Sequence, residues 1–342
     1  FRPSRRVCHE GFAELICGRI YADADRFTEL FCASYPFRFD IDLLRSDSAA
    51  QDRPPEQFDA ARLDPWFLLR LPATLITLSR AKRRMRRLFR TAARSFEREV
   101  QSDFAAVIEH ERQQSLVSLA DDELLNLFDR RRQFVMDQLA PAAFLPGTLA
   151  ASAWSSLEKI LKNCLGPDAV QPLCQDILSA IPDPLTQHRR QLFSQGRTDE
   201  RARLEYRTEF GHRGPDEMEL ASPRWRELPE KTAALDDVPP PRTSSGPAST
   251  NEAYDRLLRA LTDAGADYLG PPIRSLLDSI FALTRYRELG KHEFLRGYAL
   301  IRDILEEVGT RLEVGDGVYY LEPTELRESL EDAVPLDEIA RR

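Results

Sequence analysis

The chain reads as a mainly α, multi-helix protein with minor β near both ends, on three observations. Apolar residues recur every three or four positions through long stretches. Proline and glycine signals fall between those stretches. The strand-like segments, 18–21 and 318–321, are brief and lie toward the two ends.

Taken in order, residues 7–35 are mixed, with a brief strand expected at 18–21 and a helix around 27–31. From Pro65 the pattern is helical. Phe67, Leu71, Leu75, Leu78, Met85, Leu88, Phe96, Val100, Phe104 and Val107 predict one long helix, or two joined by a short bend. A further helix starts at Asp121, where Asp122 and Glu123 complete an acidic first turn, and Pro141 is expected to stop it. Another covers 149–165 and ends at Gly166-Pro167, and a short one covers 171–181. Any helix within 187–204 is expected to be exposed, because that segment is highly charged. Residues 228–251, with Pro239-Pro240-Pro241 and almost no large apolar residue, read as a flexible linker or excursion. It separates a first helical part, 1–227, from a second, 252–342. That second part is expected to hold helices over 254–267 and 273–312, a Gly315-Asp316-Gly317 turn, a strand at 318–321 and a helix from Thr324.

With 342 residues, 42% hydrophobic, the chain can bury a sizeable core in one large domain or two smaller ones. The net charge of −8 argues against a general nucleic-acid-binding role. No apolar run approaches the roughly 18 residues that would span a bilayer. Five cysteines form no CxxC pair and no zinc-ligand spacing with the five histidines, so a reduced cytoplasm is the expected setting and no metal site is expected. The chain opens at Phe1, as expected of an excised portion of a longer polypeptide.

The most informative stretch is 273–308. At about 100° per residue, Ile273, Leu276, Ile280, Leu283, Phe294, Tyr298, Ile301, Leu305 and Val308 project to one side. Arg287 and Lys291 project there too, and a buried cation needs a carboxylate, a cavity or an anionic ligand. Their i, i+4 spacing lets both converge on one anion. Two other readings stay open: Gly290 marks a kink or helix end, or the cations form structural ion pairs.

Residues 209–225, EFGHRGPDEMELASPRW, form the densest cluster of unusual residues. Gly211 and Gly214 suit a tight loop that presents His212 and Arg213, and Asp216 with Glu219 resembles a capping box opening a helical turn. These two are either site residues or hydrogen-bonded ties between helices. Residues 82–98 carry eight cations and one acid, Glu97, with Leu78, Met85, Leu88, Phe89 and Phe96 as the packed side. That face reads as solvated or docked on an acidic neighbour. No P-loop, dinucleotide fingerprint, HExxH or GxSxG occurs, so no nucleotide site is expected within this chain.

Three ordered motifs carry a resemblance: Gly211–Pro215 with Ser222–Trp225, then Arg287-Glu288-Leu289-Gly290-Lys291, then Tyr320–Leu326. Together they resemble the middle region of phosphoenolpyruvate-synthase-like enzymes, the rifampicin phosphotransferase-like branch above all. Gly18-Arg19-Ile20-Tyr21 is similar to that region's opening, whereas 35–66 and 228–251 match nothing in it. The resemblance implies a central substrate-binding domain. It would work with an ATP-grasp domain and a swivelling phosphohistidine domain of the same polypeptide, with ATP and Mg2+ bound outside this chain. It also implies that Arg287 and Lys291 face the phosphohistidine and neutralise the transferring phosphate. His212, Arg213 and Glu288 then become candidate substrate-binding residues. A non-catalytic helical interaction module, or the substrate domain of a related ATP-dependent ligating enzyme, is the alternative.

Overall fold

The computed structural model describes residues 65–196, 199–228 and 249–330, together with the backbone of four short strands before them. The expected helix around 27–31 and most of the expected linker lie outside the described residues. The chain packs as two compact units, Phe1–Arg86 and Arg87–Arg342. In the first, β1 (Ala13–Ile16) pairs antiparallel with β2 (Arg19–Ala22), and β3 (Phe37–Phe39) with β4 (Glu56–Phe58). The dividing point falls inside α1 (Pro65–Ser95).

The second unit is helical. After α1 the chain continues through a π-helical stretch, Phe96–Phe104, into α2 (Ala105–Arg112). Then comes α3 (Asp121–Gln133), where the Glu123 carboxylate accepts a hydrogen bond from the Ala120 N–H and the acidic first turn suits the helix dipole. A second π-helical stretch, Phe134–Leu139, leads into α4 (Ala140–Leu165). Pro141 therefore does not stop a helix as expected. The helix runs through it unbroken from Asp121 to Leu165, and the π-helical stretch immediately before it shifts the backbone hydrogen bonding where the N–H is missing. Helix α4 does end at Gly166, whose φ of 80° places it in the left-handed region. Next are α5 (Pro167–Ser179), α6 (Pro184–Gly196) and α7 (Glu200–Phe210). Helix α7 is not simply exposed, because Ala202, Tyr206 and Phe210 are buried.

Helix α8 (Thr250–Asp263) starts with a capping box: Ser249 Oγ accepts from the Glu252 N–H and the Glu252 carboxylate accepts from the Ser249 N–H. Helix α9 (Gly270–Arg311) then runs unbroken for 42 residues, so Gly290 does not mark a helix end. The strand expected at 318–321 is instead part of a 3-10 turn, Gly315–Tyr320, whose Val318 points into the core; α10 (Pro323–Leu330) follows. The three-residue period of that turn aligns Gly315 with Val318, which the apolar run alone does not reveal.

The spine is the antiparallel pair α4 and α9, in which Gly147 faces Arg287, Ala143 faces Gly290 and Leu139 faces Gly297. The backbones touch because these glycines carry no side chain: a Cβ on Gly290 would overlap the Ala143 carbonyl oxygen. Two core clusters lie along this pair. One gathers α3, both π-helical stretches, the first half of α4 and α9 beyond Leu283; the other gathers α5, α8, the second half of α4 and α9 up to Ile280. Buried Arg131 of α3 ties the first cluster together by donating to the Glu111 carboxylate and carbonyl of α2 and to the Leu300 carbonyl of α9. In the basic run, Phe96 is buried as expected, but Met85 is exposed.

Candidate functional site

The site is built where the loop after α7 meets the middle of α9. Helix α7 is capped by the Asp199 carboxylate, which accepts from the Arg201 N–H, and it ends at Gly211. A Cβ on Gly211 would overlap the Arg207 carbonyl oxygen, and one on Gly214 would lie 2.6 Å from the Pro223 oxygen. Glycine is needed at both because the loop doubles back on itself. The Trp225 N–H donates to the Arg213 carbonyl (2.8 Å) and the Arg226 N–H to the Gly211 carbonyl (3.0 Å). The fully buried Arg224 guanidinium locks the intervening turns by donating to the Glu217 and Glu219 carbonyls, each at 2.9 Å. These turns stand where a capped helical turn was expected from Asp216 and Glu219. From α9, Arg302 donates to the Glu227 carboxylate and the Leu220 carbonyl, and Arg226 pairs closely with Asp303.

Two of the resemblance motifs, far apart in sequence, meet here. Arg213, 3% exposed, donates twice to Glu217, at 2.6 and 2.8 Å, and lies 3.8 Å from Glu288. Lys291 Nζ is 2.5 Å from the Glu217 carboxylate, and Arg287 is 3.3 Å from Glu288. The order Lys291, Glu217, Arg213, Glu288, Arg287 is a chain of alternating charges with one more cation than anion. Burial opposes ionisation of Glu217, yet the hydrogen bonds from Arg213 and Lys291 overcome it and bring its pKa down to about 2.

The structure corrects the expectation that both cations sit on the buried face. The Arg287 side chain is 71% exposed and that of Lys291 33%. The core-facing positions in this stretch are Leu283, Tyr286, Gly290 and Phe294. An ideal helix drifts about 20° per heptad against a packed 3.5-residue seam, so one fixed projection over 42 residues misplaces its middle. Tyr286, not Arg287, points inward, and its hydroxyl donates to the Glu97 carboxylate at 2.5 Å.

His212 lies on the other side of Arg213 and meets His292, which follows Lys291. Their rings pack edge to face with centroids 4.7 Å apart. Both are buried, and His212 Nε2 and His292 Nδ1 have no hydrogen-bond partner. Burial, then the neighbouring His292 and cations Arg296 and Arg213, hold His212 well below the usual histidine pKa. Burial, then Arg213 and Arg296, push His292 down to about 3. Both are therefore neutral at physiological pH. They line a cavity of about 670 Å3 with Arg112, Arg207, Arg226 and Arg296, and with Glu109 and Glu209. A second, mostly apolar pocket of about 300 Å3 lies further along α9, among Phe128, Met136, Tyr298, Ile301, Leu305 and Tyr319.

Glu217 and His292 are the residues that sequence reasoning missed. The i, i+4 spacing of Arg213 and Glu217 was the available signal for the first, and the adjacency of His292 to Lys291 for the second. Among the described residues no group of three or more His, Cys, Asp or Glu is placed to hold a metal ion, and no helix is long and apolar enough to cross a membrane. No protein-family model, no curated protein and no solved structure matches this chain.

Proposed function

We propose that this chain is the central substrate-binding domain of a cytoplasmic ATP-dependent phosphotransferase of the phosphoenolpyruvate-synthase type. It would receive a phosphoryl group from a phosphohistidine on another domain of the same polypeptide, with ATP and Mg2+ handled by an ATP-grasp domain. The observation that carries this reading is the meeting of the Gly-His-Arg-Gly-Pro and Arg-Glu-x-x-Lys motifs in one chain of charges, ending at the exposed guanidinium of Arg287. A phosphoryl group in transfer spreads negative charge over its oxygens, and cations already fixed in place stabilise it without reorganising. Glu217 and Glu288 would do the fixing, Arg287 and Lys291 the neutralising. The apolar pocket along α9 suits an acceptor with an apolar body.

The test is made in the polypeptide that carries this chain, supplied with radiolabelled ATP. Arg287→Ala and Lys291→Ala are each expected to slow transfer to acceptor by about 10²–10³-fold, while histidine phosphorylation by ATP proceeds as in the wild type. Loss of that first phosphorylation, or transfer unaffected by Arg287→Ala, would sink the assignment.

The 2.5 Å pair between Lys291 and Glu217 favours a second reading, a helical interaction module whose cations are structural. On that reading Lys291→Ala lowers the melting temperature, and the exposed Arg287 can be removed with no functional effect.

A further inference from the structure

We propose that the cavity between the end of α7, the end of α2 and the middle of α9 is a binding site for a small oxyanion, a molecule bearing phosphate or carboxylate. It uses neither Arg287 nor Lys291 and so stands apart from the proposed phosphoryl-transfer edge. Its wall carries four arginines against two glutamates. Arg207 donates to the Arg226 carbonyl and, among the described residues, pairs with no carboxylate. Arg112 has Glu109 only at 3.8 Å, beyond hydrogen-bond range, while Arg296 is held by Glu293 at 2.8 Å. Arg226 is engaged by Asp303. Arg112 and Arg207 therefore keep planar N–H edges free for the paired hydrogen bonds that carboxylate and phosphate accept.

His212 and His292 close the cavity on the side of α9. His212 and His292 are 6% and 7% exposed, and each leaves a ring nitrogen unpaired. Those two nitrogens are closed off from solvent, so the histidines shape the wall and, held neutral by burial, add no charge to it. A volume of about 670 Å3 admits a small metabolite but not a polymer.

The test is calorimetric titration of the chain, at low ionic strength and pH 7.5, with inorganic phosphate, pyrophosphate and citrate. Saturable binding is expected by the wild type, weakened at least about tenfold by Arg112→Gln and by Arg207→Gln. Arg112→Gln is the safer variant, because its side chain is 38% exposed and its removal leaves no buried partner. Preference for pyrophosphate over citrate assigns a phosphate ligand, and the reverse a carboxylate. The proposal is overturned if the folded wild type binds none of the three, or if binding survives both glutamine variants. Binding lost only in Arg287→Ala/Lys291→Ala overturns it too, and would place the anion at the proposed transfer edge instead.

Discussion

His212 and His292 make the site sensitive to acid. Both have a lower pKa folded than unfolded, so the native state binds fewer protons and its stability falls as pH drops below about 6.5. The slope is about 1.4 kcal/mol per pH unit for each histidine. Urea unfolding at pH 7.5, 6 and 5 should show this loss, and His292→Gln should make it shallower. Glu217 acts in a separate window. With its folded pKa at about 2, its stabilisation is complete above the ordinary carboxylate range and is lost only as pH falls from about 4.5 toward 2. Glu217→Gln strands the buried Arg213 guanidinium, and a cost of about 3 kcal/mol in the same unfolding assay is expected. At this scale the sequence offers the cations as candidates and does not show what holds them. Glu217 meets Lys291 across 74 positions, and no periodicity reports a pairing that long.

At the scale of elements, the contact between α4 and α9 depends on glycine. Gly290→Ala would drive a Cβ into the Ala143 backbone, which has no rotamer by which to yield, so destabilisation of about 2–3 kcal/mol is expected. Gly147→Ala is the control, since its Cβ would stand 3.4 Å from Arg287 Cα, and it should change the melting temperature little. A similar effect of both would mean the helices separate more readily than their packing suggests. The helix positions of α9 and the end of α4 were legible through period and Gly166, whereas the start of α8 was missed: its Ser249–Glu252 capping box lies at the end of the expected linker. Pro141 and 318–321 misled for different reasons: a proline is carried inside a helix where a π-helical stretch precedes it, and a short apolar run fits a 3-10 turn as well as a strand.

For the whole molecule, both core clusters lie within Arg87–Arg342, and the described helices of that unit bury their apolar faces on one another. A fragment of residues 87–342 is therefore expected to be helical by circular dichroism and to melt cooperatively. A non-cooperative melt would show that the preceding residues complete its core. The mainly α class was readable from the period of the apolar residues. The division near residue 86 was not, because it falls inside a continuous helix with no proline or glycine break beside it, and the basic run that begins at Lys82 reads as a solvated or docking face.

Helix α9 has a mechanical consequence. Forty-two residues make a rod of about 63 Å, clamped on both sides of its midpoint by different sets of neighbours, with Arg287, Lys291 and His292 at mid-span. A rod held along its length resists bending there, so on the proposed function the phosphohistidine that approaches Arg287 would have to arrive as a separate body and leave again. Amide protons along the central third of α9 should then be among the slowest to exchange in the molecule, with no fast patch at Gly290.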